Sequence, residues 1–152
     1  MIAAEQHGWV APFASQLAAL LTHRHTRARW EAAHSLALIA ATAPETIGPL
    51  LEKFSMILSS DKSTIVLDYS VDAVGIYAGS GEPAARAAYP IHLSSLTVWD
   101  GNHAGHALAG LAQTALSGPG MRAEICTAVQ GYLDDSRGVV RKAAKDLLKV
   151  CK

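Results

Sequence analysis

The sequence predicts an all-α protein, an α-solenoid of about eight helices stacked as four helix–turn–helix units in a single domain over residues 1–152. Three observations carry this reading. Alanine is abundant and aromatic residues are scarce, 28 against nine, a composition suited to helices packed at close range. Breaks, all but the first marked by Gly, Pro, Ser or Asp, fall at regular intervals, at residues 22–26, 42–45, 59–63, 79–83, 99–102, 117–120 and 134–138. Between them, apolar residues recur at helical spacing, and similar segments return with a period of about 37 residues.

Taken in order, the first segment of each unit is an apolar helix ending near Leu21, Leu58, Leu96 and Leu133. The second segments are the clearer repeats. Arg-Trp-Glu-Ala-Ala-His-Ser-Leu from Arg29 and Arg-Lys-Ala-Ala-Lys-Asp-Leu-Leu from Arg141 share Arg, then Ala three residues on, then Leu four further. A copy starting at Leu67 places Ser70 and Val74 at those positions, and one starting at Gly105 places Leu108 and Ala112 there. Residues 64–69 have strand-like propensity, but they run into Val71, Ala73, Val74 and Ile76 without a turn, so a helix is expected there too. Units of this size cannot hold a core alone and need stacked neighbours.

Charge and targeting narrow the function classes. Lys plus Arg equals Asp plus Glu at 13 each, which argues against a dedicated nucleic-acid or anionic-membrane binder. With 50% hydrophobic and 17% charged residues, a disordered chain is excluded. No apolar run approaches the length of a transmembrane helix. Glu5, Gln6 and His7 interrupt the start, unlike a signal peptide. Cys126 and Cys151 are the only cysteines and both fall in helical patterns. Two buried free thiols are expected, and with them a soluble, cytoplasmic, reducing setting.

The chain resembles HEAT repeats, within the wider class of HEAT and armadillo solenoids, with units at about 9–42, 43–79, 81–117 and 119–151. The period is one element of the match. Another is the last unit's turn and second helix, where Asp134 and Asp135 are followed by Val140-Arg141. A proline inside several first helices, Pro12, Pro49 and Pro90, is the third, at a place where the family often kinks. Leu67 and Gly105 stand where the family has Arg, so its ladder of Asp and Arg is expected to be incomplete.

The resemblance implies that the second helices line the concave surface. Their apolar stripe falls on Ala32, Leu36 and Ile39, then Ser70, Val74 and Tyr77, then Leu108, Ala112 and Ala115, then Ala144, Leu148 and Cys151. Off that stripe point Trp30, His34 and Ala37; Asp68, Asp72 and Gly75; His106, Gly110 and Gln113; and Lys142, Asp146 and Lys149. Such a mixed face suits a peptide or protein partner, and Trp30, His34, Asp68, Asp72, His106 and Lys142 are the candidate contacts. Trp30 either anchors a partner or packs against the terminal helix beneath Trp9. Asp68 and Asp72 either bind a basic segment or a cation, or form a solvated face.

Enzymatic chemistry finds no support in the residues. His103 and His106 offer two zinc ligands at most and are read as exposed turn histidines. Gly79-Ser80-Gly81 joins two helices and lacks a following Lys-Ser or Lys-Thr, so it is a turn. No nucleophile elbow occurs, and the His-Glu dipeptides of HEAT-repeat di-iron hydroxylases are absent. No cofactor or metal is expected. The sequence thus points to a non-enzymatic interaction module. The alternative is a nucleic-acid-binding solenoid using its terminal clusters, Arg24, Arg27 and Arg29 at one end, Arg137, Arg141, Lys142, Lys145, Lys149 and Lys152 at the other. Against it, Asp68 and Asp72 would repel phosphate in the middle of the groove.

Overall fold

The computed structural model describes residues 7–152, and every regular element among them is helical. Helices of seven residues or more alternate as first and second members of four pairs. These are α1 (Ala14–Leu20) with α2 (Thr26–Ile39), and α3 (Leu51–Ser60) with α4 (Thr64–Ala78). They continue with α5 (Glu82–Ser95) and α6 (Ala104–Ser117), then α7 (Arg122–Val129) and α8 (Gly138–Val150). The β-branched run that opens α4 is helical because helical spacing buries Val66, Leu67 and Val71 completely. Tertiary packing overrides local preference there.

Proline explains why the first helices are less regular than the second. Pro12 lies in a 3₁₀ turn at Ala11–Phe13 after the single turn His7–Val10, and Pro49 lies in another at Gly48–Leu50 after Pro44–Ile47. A third, Pro119–Met121, leads into α7. Each proline lacks the N–H that a continuous helix would use. Pro90 behaves differently: α5 runs through it unbroken, and the proline lies on the exposed side of the helix.

The second helices pack in a row, α2 against α4, α4 against α6 and α6 against α8, while α5 packs against both α4 and α6. Leu36, Ile39, Phe54, Leu67, Leu108, Leu111, Ile125 and Leu147 are fully buried. Burying each such side chain contributes roughly 1.5–3 kcal/mol. The stripe expected on α8 is displaced by one residue, since Val140, Ala144 and Leu147 are buried while Leu148 and Cys151 are only partly so.

Two glycines let α4, α5 and α6 converge. A Cβ on Gly75 would lie 3.0 Å from Gly110 Cα, and a Cβ on Gly110 would lie 2.2 Å from Cε1 of His92 on α5. A glycine inside a helix costs about 1 kcal/mol relative to alanine, so close approach is what these positions supply in return. Gly110→Ala is therefore expected to destabilise by about 1–3 kcal/mol in denaturant melts. His92→Ala in the same chain should recover much of that loss. An unchanged midpoint for Gly110→Ala would contradict the contact.

The turns before the second helices reuse one device. The side chain of a residue accepts from the backbone N–H two positions on: His23 Nδ1 from His25, Asp61 Oδ1 from Ser63 and Asp135 Oδ1 from Arg137. Such local bonds favour a turn over continued helix. The third turn instead passes through left-handed backbone at Trp99 (φ 52), Asp100 (φ 55) and Gly101 (φ 73). Arg137 reaches back to donate to Gly101 O at 2.5 Å. Arg29 donates to His23 O and Arg24 O, and Arg141, 112 residues on, donates to Asp135 O and Ser136 O at the equivalent places. Arg29 also bonds Asp61 in the next unit through both carboxylate oxygens, at 2.6 and 3.2 Å.

Two expectations from the sequence are corrected. Cys126 and Cys151 are joined in a disulfide that ties α7 to the end of α8, because the helix pair brings their Cα atoms to 6.0 Å. The case for a reducing compartment rested on free thiols, and it falls with them. His103 is no exposed turn residue: it is 1% exposed, drawn inward by Asp68.

Candidate functional site

The row of second helices leaves a groove across α2, α4 and α6. Two adjoining clefts, about 290 and 260 Å³, form it and share Tyr69, Asp72 and His106. Helical spacing sets the lining: residues three or four apart on each helix point the same way. Trp30, His34 and Ala37, Asp68, Asp72 and Gly75, and His106, Gly110 and Gln113 all line one cleft or the other. The larger cleft is walled mainly by apolar groups, including Leu38, Ile76 and Ala109, and it reaches the backbone of Gly75 and Gly110. The smaller holds Trp30, Ile65, Asp68 and Tyr69.

Asp68 and Asp72, one turn apart on α4, meet His103 at the N-cap of α6 and His106 in its first turn. His103 Nδ1 lies 2.7 Å from Asp68 Oδ1, and His106 Nδ1 lies 2.7 Å from Asp72 Oδ1. His106 Nε2 is a further 3.5 Å from Asp68 Oδ1. The hydrogen bond to Asp72 raises the pKa of His106, against a smaller opposing effect of burial, with the nearby charges of Asp72 and Asp68 adding to the rise. Like charges at this spacing on one helix cost a few tenths of a kcal/mol, and the opposing histidines offset that. Each Oδ2 has no hydrogen-bond partner among the described residues, and the two side chains stay 27% and 35% exposed.

Trp30 is partly buried against the core with its indole N–H unpartnered, while Trp9 is 68% exposed. Trp30 lines the smaller cleft, and its helix also packs against the terminal turn His7–Val10. Lys142 lines neither cleft and instead reaches Asp146 at 3.3 Å on the exposed side of α8. Among the described residues, no group of three or more His, Cys, Asp or Glu side chains is placed to hold a metal ion. No helix among them is long and apolar enough to cross a membrane.

Sequence reasoning passed over two members of this region. Tyr69 forms the wall between the clefts and stacks on His34, ring centroids 4.4 Å apart and 22° from parallel. Its signal was its place beside Asp68, one turn before Asp72, on a helix whose other face is apolar apart from Ser70. His92 lies beneath Gly75 and Gly110, fully buried, with neither ring nitrogen hydrogen-bonded. Burial pushes its pKa down to about 4, so the ring is neutral. Its spacing, four residues after Ala88 and seven after Ala85, puts it on the buried stripe of α5, but sequence reasoning does not read a titratable side chain there as core.

No family model matches the chain, and no curated protein matches it. Solved structures do. Three engineered proteins, with crystal structures from the Northeast Structural Genomics Consortium, superpose with TM-scores of 0.71, 0.73 and 0.74 at 23%, 22% and 23% identity. Each superposition covers 91% of this chain, which spans 37%, 62% and 63% of theirs. Likeness at that identity speaks for the helical fold alone.

Proposed function

We propose that the chain is a HEAT-like α-solenoid of four repeats and serves as a non-enzymatic scaffold that binds a peptide or protein segment along α2, α4 and α6. The solenoid reading draws support from the row of second helices and from Arg29 and Arg141, which grip equivalent carbonyls 112 residues apart. The binding reading rests on one observation above all, a groove with an apolar floor, aromatic walls and fixed carboxylates, built from three successive second helices. Interfaces of this kind concentrate their energy in one or two buried aromatic anchors. The carboxylates in the groove disfavour phosphate, so a nucleic-acid partner has less to recommend it.

Selection from a random peptide library, followed by calorimetric titration of the recovered peptides, tests this. Trp30→Ala should weaken binding by about 2 kcal/mol, roughly thirtyfold, as loss of an aromatic anchor does. Ile76→Glu, at an exposed position inside the groove, should weaken it further, and Lys142→Glu should leave it unchanged. Binding indifferent to Trp30 and Ile76 would overturn the reading. Failure to recover any peptide, alongside steeply salt-dependent binding of duplex DNA, would favour the nucleic-acid alternative.

A further inference from the structure

The smaller cleft carries chemistry more specific than a general peptide groove. Trp30 and Tyr69 wall it, and Asp68 and Asp72 enter it from one turn of α4. The carboxylates are not loose surface groups. His103 and His106 hold the Oδ1 atoms at 2.7 Å from the neighbouring helix, which fixes the rotamers and leaves the Oδ2 atoms without a protein donor. A site of this make-up suits a donor-rich, planar cation. A guanidinium supplies parallel N–H groups for carboxylate oxygens and a flat face for an aromatic ring at the same time, which an ammonium does not. Cation–π contact with a tryptophan adds to the attraction when the site is partly shielded from water.

We infer that this cleft is an arginine subsite, in which the side chain of one arginine of the bound peptide lies against Trp30 and Tyr69 and donates to Asp68 and Asp72. The inference rests on the peptide-binding reading and specifies what one end of the groove accepts. The larger cleft, apolar and adjoining at Tyr69, Asp72 and His106, then takes a neighbouring hydrophobic side chain. Burying a neutral polar side chain beside these carboxylates instead would leave their oxygens short of donors, so selectivity follows from the penalty as much as from the bond.

Library selection on the whole chain should enrich arginine at one position. Replacing that arginine by citrulline, which keeps shape and loses charge, should weaken binding at least about tenfold, with lysine in between. In Asp68→Asn/Asp72→Asn, where each Asn Oδ1 can still accept from its histidine, the ratio between the arginine and citrulline peptides should collapse to within about twofold. Circular dichroism and thermal melts of that variant check that its fold is kept. Citrulline peptides that bind wild type as tightly as arginine ones would overturn the inference, as would a ratio unaltered by the double substitution. If such peptides still lost affinity with Ile76→Glu, the groove would stand and only the arginine subsite would fall. If no peptide bound at all, both would fall.

Discussion

Removing the Cys126–Cys151 bond is expected to cost roughly 3–4 kcal/mol of stability, the loop-closure value for cysteines 25 residues apart. The bond closes α7 onto α8 at the end of the row, where α7 has only eight residues. For a chain of this length that loss lowers the melting temperature by about 10 °C. Thermal melts with and without reductant, and of Cys126→Ser/Cys151→Ser, measure it. The two interventions should agree, and hydrogen exchange should place the extra opening in α7 and α8. Melting temperatures that do not respond to reductant would show that the bond adds nothing to stability.

Acid should destabilise the fold through His92, and by a similar amount. Its pKa falls from an ordinary 6.5 to about 4, because burial penalises the charged ring. Only the charge of Asp72, and a Val74 backbone group that falls short of hydrogen-bonding geometry, favour the charged form. The folded state therefore binds this proton less readily than the unfolded state. Stability from His92 is complete above about pH 6.5 and is lost progressively as pH falls toward 4, by about 3 kcal/mol in all. His106, whose pKa is raised, acts in the opposite sense: its contribution is present below about pH 6.5 and lost as pH rises through the folded value. Urea melts from pH 8 to pH 4 should show His92→Leu losing markedly less stability on acidification than wild type. At pH 8 the substitution should be neutral or stabilising, since it removes two unsatisfied ring nitrogens from the core. Parallel pH profiles for the two proteins would place the acid sensitivity elsewhere.

Much of the helical architecture was legible because it rests on periodicities. Apolar spacing on α2, α4 and α6 dictated which residues face the core, and the remainder, from Trp30 to Gln113, had only one other direction to point. All but the first of the turns before the second helices were legible too, as places where Asp, Ser or Gly end a pattern. What escaped belongs to no period. His103 and Asp68 are 35 residues apart, and only packing of α4 on α6 decides that they meet. The disulfide depends on where the end of α8 falls against α7, which one residue of helical phase decides. His92 does fall on the buried stripe of α5, but that a full imidazole fits there depends on two glycines on other helices.

Those glycines bind the interior and the groove to one another. Gly110 is at once a roof over His92 and a floor beneath whatever occupies the larger cleft, a partition one backbone thick. A residue introduced there to reshape the ligand's seat would press on the core in the same move. Change at this position is thus tested twice, for what it admits from outside and for what it displaces within.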